Sequence, residues 1–193
     1  MKRRGLLLVV LLLASGLTAC LNKAGTSEAP VFVTVSIEKQ PGFVNIRNNA
    51  PVQVQTIVLN SHFKNSLATD PQGFANIQVN EYTVHYRRTD GGTRVPPDEH
   101  FPVGVLLTSG GTSTLSNFPI MLASATQGSP FDQLMPFNGG IDRETNKNEI
   151  LMAFDLTFFG LTVSGQRVQS ETASGILIFQ FSGGAPLSRF SGS

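Results

Sequence analysis

Two long runs of alternating apolar and polar residues near the C-terminus constrain the fold of this chain more than any other feature. They cover residues 149–163 (EILMAFDLTFFGLTV) and 166–181 (QRVQSETASGILIFQF), and Ser164-Gly165 separates them. Alternation with a period of two residues is typical of a β-strand with one buried face, and a short loop containing glycine between two such runs predicts a hairpin. We therefore expect a fold built on paired strands.

The loop length predicts the register of this hairpin. A two-residue loop pairs Val163 with Gln166, and from there it pairs Leu161 with Val168 and Leu156 with Ala173. One face is then apolar on both strands; it contains Met152, Phe154, Leu156, Phe158, Leu177, Phe179 and Phe181. The middle of the opposite face is polar and contains Asp155, Thr157, Ser170, Thr172 and Ser174.

Strand character recurs through the preceding part of the chain, in segments 31–38, 43–47, 52–60, 76–88, 103–109 and 113–122. The alternation changes face near Asn80-Glu81, which predicts a β-bulge. Gly110-Gly111 separates the last two segments and predicts a second hairpin. Pro102 and Pro119 predict edge strands or strand ends, because proline cannot donate to a sheet.

Residues 123–148 interrupt the strand pattern. Ser129 followed by Pro130 predicts an N-cap and a first helical position, so we expect one short helical turn in a long connection. Residues 139–149 are polar and charged, which indicates an exposed loop.

About seven or eight short strands, with frequent turn signals and no long amphipathic helix, predict an all-β sandwich. An up-and-down barrel around a small ligand is the alternative architecture. The Phe158-x-Gly160 and Ser164-Gly165-x-x-Val168 patterns of the closing hairpin, together with YTVHYRRTDGG at 82–92, resemble immunoglobulin-like domains of uncharacterised bacterial lipoproteins. The resemblance implies an immunoglobulin-like antiparallel sandwich over residues 31–182. We expect the terminal segment 183–193 (GGAPLSRFSGS) to be a loose tail.

The N-terminus has the three parts of a secretory signal peptide. Lys2, Arg3 and Arg4 precede an aliphatic run, and small residues lead to Cys20. The apolar run is shorter than the roughly 20 residues that a membrane-spanning helix needs. We therefore expect residues 1–19 to be a signal peptide rather than a membrane anchor.

Leu17-Thr18-Ala19-Cys20 resembles the lipobox of bacterial lipoproteins. The resemblance implies cleavage before Cys20 and attachment of diacylglyceryl and acyl chains to that residue, with residues 20–30 as a lipidated tether. Leu21 in place of aspartate suggests the outer membrane if the host has one. Otherwise the expected location is the outer face of the cytoplasmic membrane.

Charge and cysteine content exclude several functional classes. Without the three basic residues at the N-terminus, 11 of the 14 Lys and Arg remain against 13 Asp and Glu, and they form no basic run. We therefore expect no nucleic acid partner. The single cysteine excludes an internal disulfide and a site built from several thiolates.

Motifs for catalysis and cofactor binding are absent. The sequence contains no G-x-S-x-G, no H-E-x-x-H and no phosphate-binding glycine loop. Asp98-Glu99-His100 is the only acid–base candidate, and adjacent residues rarely converge on one substrate. His62, His85 and His100 are far apart in sequence and are expected to be surface residues rather than a metal site.

One oxygen-rich loop is a weak candidate for calcium. It contains Asp142, Glu144, Asn146 and Asn148, followed by Glu149. Alternating oxygen ligands in a loop bind calcium in some proteins. The glycine of an EF-hand is missing and Arg143 and Lys147 are interleaved, so a solvated loop is the simpler expectation.

A candidate partner surface lies near the turn of the closing hairpin. The predicted register places Phe159, Leu161, Val163 and Val168 on the outer face, and Ile176 and Ile178 at its other end. Either the 123–148 connection covers these side chains, or they form an exposed patch of the kind that usually marks a partner.

Together these features predict a lipid-anchored protein of the cell envelope, acting as a non-enzymatic interaction or structural module without a cofactor. Its expected partners are the membrane, through Cys20, and another envelope protein. A carrier of a small ligand, a sugar or a lipid, is the alternative. A hydrolase that uses Asp98, Glu99 and His100 is a remote alternative.

Overall fold

The computed structural model describes residues 28–182, and in this range two β-sheets pack as a sandwich. The predicted β-sandwich is confirmed. Strands β1 (Val31–Lys39), β3 (Val52–Phe63) and β6 (Thr112–Met121) form the smaller sheet, in the order β1-β3-β6. Strands β2 (Phe43–Asn45), β4 (Ile77–Arg88), β5 (Glu99–Leu107), β7 (Glu149–Thr162) and β9 (Ala173–Gln180) form the larger sheet, in the order β2-β9-β7-β4-β5, and β8 (Arg167–Gln169) pairs with the end of β7. The predicted signal peptide, Cys20 and the predicted tail at 183–193 lie outside the described residues.

Neighbouring strands in both sheets are antiparallel, except that β2 and β9 are parallel. The described strands number nine rather than seven or eight, because the strand predicted at 166–181 is divided into β8 and β9. The segment predicted at 43–47 leaves the sheet early: a 3₁₀ turn at Ile46–Asn48 follows β2.

Aromatic residues fill the space between the sheets. Tyr82, Phe101, Phe118 and Phe158 form one cluster, with ring centroids of neighbouring pairs 4.3 to 5.7 Å apart. Burying a large apolar side chain stabilises a fold by roughly 1.5–3 kcal/mol. The core is therefore packed with side chains and does not surround a ligand cavity at this point.

Two tyrosine hydroxyls connect the sheets across this core. Tyr82 on β4 donates to the carbonyl oxygen of Pro119 on β6 at 2.6 Å, and Tyr86 donates to the carbonyl of Ile120. Burial, together with the negative charge of Glu99, raises the pKa of both tyrosines well above the usual value. Each hydroxyl satisfies a carbonyl at the irregular end of β6.

The bulge and edge predictions are confirmed. The pairing of β4 with β7 shifts between Val79 and Glu81, where Asn80 is the extra residue of β4. The pairing of β4 with β5 shifts at the same level, but there β5 has the extra residue. Pro102 lies in β5 and Pro119 in β6, and each strand is at the edge of its sheet.

The hairpin predicted around Gly110-Gly111 is wrong. Strand β5 pairs with β4 in the larger sheet, whereas β6 pairs with β3 in the smaller one. Residues 108–111 therefore cross from one sheet to the other, a step of about 10 Å. Gly110 has a φ of +70° there, and the N–H of Gly111 donates to the carbonyl of Thr108. A turn signal predicts where the chain reverses and not which strands pair.

The closing hairpin has the predicted register along most of its length and a different one at its turn. Leu156 pairs with Ala173, as predicted, but Leu161 pairs with Arg167 rather than with Val168. The loop has three residues, because Thr162 donates its N–H to the carbonyl of Gln166 and receives the N–H of Gly165 on its own carbonyl. Gly165 has a φ of +86°, which suits the last position of such a loop.

This shift of one residue moves two side chains to the other face of the sheet. Val168 pairs with Gly160 and lies in the core, so its prediction as part of the outer surface is wrong. Ser170 is also buried, and its hydroxyl accepts the N–H of Phe158. The extra residue is absorbed at 171–172, where Glu171 donates to the carbonyl of Val33 and links the closing hairpin to β1.

The 123–148 connection closes one end of the core. It contains the short helix α1 (Ala123–Thr126) and 3₁₀ turns at Phe131–Leu134 and Pro136–Asn138. The helical turn is confirmed, but its cap is not Ser129: Pro130 is the N-cap and no side chain caps it. Phe131 is fully buried, with its ring 4.1 Å from that of Phe179. The connection therefore packs into the core.

The described chain begins at one end of the sandwich and finishes at the other. β1 begins opposite the end of β3, where Val31 pairs with Phe63, whereas Gln180 of β9 pairs with Glu149 at the start of β7. We name the first of these the entry end and the second the far end. None of the helices within residues 28–182 is both long and apolar enough to span a bilayer.

Candidate functional site

An open groove of about 980 Å³ lies on the outer face of the larger sheet, at the entry end. Its walls come from β4, β5, the end of β7, the turn and β8, and from the first described residue, Glu28. Its lining includes Glu81, His100, Phe159, Leu161 and Gln169. We refer to it as the outer groove.

Two irregularities of the sheet form the outer groove. The bulge at Asn80 disrupts the pairing of β4 at the level of Phe159, and such bulges often re-aim side chains next to functional sites. Gly160 faces the same bulge, and a Cβ at this position would lie 2.5 Å from the carbonyl oxygen of Gln78. The close approach of β4 and β7 at this level therefore requires glycine.

The outer groove is partly apolar and partly charged. Phe159 is half-buried and Leu161 is 41% exposed. His100 lies beside them, with Nδ1 3.2 Å from a carboxylate oxygen of Glu81. Arg167 and Glu28 add one charge of each sign at the margin. This mixture suits a surface that binds a partner better than it suits an apolar ligand.

Polar contacts continue along the outer face toward the far end. Asp155 on β7 accepts a hydrogen bond from Arg87 at 3.2 Å and another from Ser174. Partial burial raises the pKa of this carboxyl, but the hydrogen bonds from Ser174 and Arg87 outweigh burial and hold the pKa below its ordinary value. This part of the face remains polar, as the alternation predicted.

The structure separates the three residues of the hydrolase alternative. Asp98 bonds to His85 at 2.8 Å, and His100 bonds to Glu81. Glu99 points elsewhere and accepts the backbone N–H of Leu122 with both carboxylate oxygens. Of the three, only His100 lines the outer groove, so these residues do not form one acid–base site.

The three histidines also occupy separate places. His62 stacks on Phe32 at 5.1 Å between ring centroids, in the smaller sheet. His85 and His100 lie on the larger sheet, and each bonds to a different carboxylate. Within residues 28–182 no group of three or more His, Cys, Asp or Glu side chains is arranged to hold a metal ion.

The carboxylates of the oxygen-rich loop contact an arginine side chain and are not arranged to coordinate calcium. Asp142 is fully buried and accepts a hydrogen bond from Nη2 of Arg88 at 2.6 Å. Glu144 lies 3.6 Å from the same guanidinium and accepts the backbone N–H groups of Thr93 and Arg94. The calcium hypothesis does not agree with this geometry, because the two candidate carboxylates are already paired with a cation.

Asp90 is a third carboxylate bound to Arg88, and the sequence analysis did not predict this group of charged residues. Its two carboxylate oxygens accept hydrogen bonds from Nε and Nη2 of Arg88 at 2.7 and 2.8 Å. Burial raises the pKa of Asp90, but the bonds from Arg88, Leu151 and Gly92 lower it more, to about 2. The pKa of Asp142 is also lowered, chiefly because Thr145 and Arg88 outweigh burial. We call Arg88, Asp90, Asp142 and Glu144 the arginine cluster.

The predicted partner surface is retained in part. Phe159 lines the outer groove, and Leu161 and Val163 are exposed at its end. The 123–148 connection packs into the core and leaves Leu161, Val163 and Ile176 exposed, so the expectation that it covers them is wrong. The bulge predicted at Asn80-Glu81 was the sequence signal for this site.

Comparison of the chain with models of protein families, with curated proteins and with solved structures finds no match in any of the three.

Proposed function

We propose that this protein is a lipid-anchored, non-enzymatic module of the cell envelope that binds another envelope protein in the outer groove. The observation that carries the proposal is the position of the outer groove beside Glu28. Glu28 lies eight positions after Cys20, the proposed lipid attachment site. An extended segment of that length reaches at most about 29 Å, so the anchor would hold the outer groove close to the bilayer.

The chemistry of the outer groove supports a protein partner. Its exposed Leu161 and half-buried Phe159 offer apolar area, while Glu81, His100 and Arg167 provide a polar margin. Interfaces between proteins commonly combine an apolar centre with a polar rim. The carrier alternative has less support, because aromatic residues fill the space between the sheets at Tyr82 and the outer groove is open to solvent.

The anchor is tested by the mass of the N-terminal peptide of the protein purified from membranes of its host. We expect a peptide that begins at Cys20 and carries diacylglyceryl and acyl chains. In a Cys20→Ser variant we expect no such adduct. An unmodified Cys20, or continued cleavage without acylation, would contradict the anchor.

The partner surface is tested by in-cell photo-crosslinking. A photoreactive amino acid in place of Gln169, which lines the outer groove, should give one dominant protein adduct. The same amino acid in place of Ile176, exposed on the larger sheet but outside the outer groove, is the matched control and should not give it. A Leu161→Asn substitution should abolish the adduct at position 169. Equal labelling at both positions would refute the proposed surface, and a labelled small ligand instead of a protein would favour the carrier alternative.

A further inference from the structure

We infer that the entry end of the sandwich is a second membrane contact, which rests on the lipid bilayer and orients the anchored domain. This inference rests on the proposed lipid anchor at Cys20. The contact surface consists of four exposed apolar side chains: Leu67 (88% exposed), Phe74 (56%), Leu106 (58%) and Val163 (59%). We call these four residues the entry-end surface.

Hydrogen bonds and register place the entry-end surface at one end of the molecule. Leu106 is the penultimate residue of β5 and pairs with Gln78, near the start of β4. Val163 follows β7 directly, and its N–H donates to the carbonyl of Asn76. Ser164, the next residue, donates to the carbonyl of Phe74. Three separate segments, the loop between β3 and β4, the end of β5 and the turn after β7, therefore bring apolar side chains to the end where the chain enters.

The loop that presents Phe74 is held in place by its polar atoms. The carboxylate of Asp70 accepts the N–H groups of Phe74 and Ala75 at 2.9 and 2.8 Å and the hydroxyl of Ser109 at 2.9 Å. These bonds turn the polar groups inward and connect the loop to the β5–β6 crossing. The exposed ring of Phe74 is thus a feature of an ordered loop.

The length of chain before Glu28 indicates that the entry-end surface contacts the bilayer. Leu67 lies in the loop that follows β3, and Lys64, the first residue of that loop, donates its N–H to the carbonyl of Pro30 at the chain entry. The eight residues back to Cys20 span at most about 29 Å when extended, so the anchor keeps the chain entry within that distance of the lipid. A contact too weak to hold a free protein is effective when an anchor makes it intramolecular.

The far end supplies the control, because it also has an exposed aromatic residue. Phe137 is 81% exposed and lies in the connection between β6 and β7, which packs near Arg88 at the end of β4. The chain contains no tryptophan. A single Phe→Trp substitution at either position therefore creates a unique fluorescent reporter.

The experiment uses the full acylated protein with either Phe74→Trp or Phe137→Trp, reconstituted into vesicles of phosphatidylethanolamine and phosphatidylglycerol. The phosphatidylglycerol has brominated acyl chains, which quench tryptophan only at close range, and vesicles without bromine are the reference. We expect the Phe74→Trp protein to lose most of its fluorescence and to shift its emission to the blue, since interfacial side chains sit about 5–10 Å into the headgroup and acyl boundary. We expect the Phe137→Trp protein to change little.

The outcomes separate the two proposals. Quenching of the Phe74→Trp protein alone supports the membrane contact. Equal quenching of both acylated proteins, or of neither, overturns the membrane contact and leaves the anchor intact. Absence of an acyl group on Cys20, measured by mass spectrometry of the same samples, overturns the anchor and the membrane contact together.

Discussion

The arginine cluster makes the stability of this fold sensitive to one side chain. The side chain of Arg88 is 1% exposed and those of Asp90 and Asp142 are fully buried, with ion-pair distances of 2.7 and 2.6 Å. An Arg88→Met substitution keeps most of the apolar stem but leaves two buried carboxylates without their cation. Removing one partner of a buried ion pair destabilises a protein by roughly 3–5 kcal/mol. We expect a decrease of that size in the free energy of unfolding.

The neighbouring Arg87 provides the matched control. It lies on the same strand, is 54% exposed and pairs with Asp155 at 3.2 Å on the outer face. An exposed ion pair contributes about 0–1 kcal/mol, so Arg87→Met should have little effect. Alternation along β4 places these two arginines on opposite faces of the sheet. Comparing the two Arg→Met variants therefore shows the effect of burial for the same change of residue type.

Urea unfolding followed by circular dichroism measures both variants. With a slope of roughly 2 kcal/mol per M, the Arg88→Met midpoint should fall by about 2 M and the Arg87→Met midpoint by less than about 0.5 M. If Arg88→Met cannot be purified in folded form, Asp142→Asn, which keeps the shape of the side chain, replaces it. Equal midpoints for the Arg88 and Arg87 variants would refute the reasoning that buried pairing holds this end together.

The arginine cluster and the tyrosines also predict the response to pH. The pKa of Asp90 is about 2 in the folded state and near 3.8 when unperturbed, so its contribution to the free energy of unfolding is present above about pH 4 and is lost as the pH falls toward 2. Measuring the urea midpoint at decreasing pH should show this loss, and a midpoint that does not change with pH would contradict it. At alkaline pH, the chain has only two tyrosines, and both have a raised pKa in the folded state. A tyrosine in the unfolded chain ionises near pH 10, so the stability of the fold should decrease above that pH. Phenolate absorbance should then rise together with the loss of the circular dichroism signal. A rise in phenolate absorbance while the fold persists would refute the buried hydroxyl contacts.

Local patterns predicted the strands and most of the closing hairpin because burial on one face of a sheet leaves a period of two in the sequence. The bulge at Asn80 and the edge positions of Pro102 and Pro119 were predicted for similarly local reasons, a change of face and a missing N–H. The same alternation also predicted that Phe159 and Leu161, which line the outer groove, lie on the outer face.

Other features of the site depend on contacts between distant segments. The alternation that buries Tyr82 and Tyr86 also points Arg88 inward, but its partners Asp142 and Glu144 come from a loop more than 50 residues later. Nothing in the local sequence shows that these oxygens face a guanidinium rather than water.

The residue pattern is enough to predict that this chain forms strands, which residues of most strands face inward and where the chain turns. The tertiary structure is needed to establish which strands pair, as the separation of β5 from β6 shows. It also decided the register at the last turn, where a three-residue loop instead of two moved Val168 from the surface into the core. The reason is physical: alternation is a property of each strand alone, whereas pairing and register depend on the free energy of contacts between segments far apart in the chain.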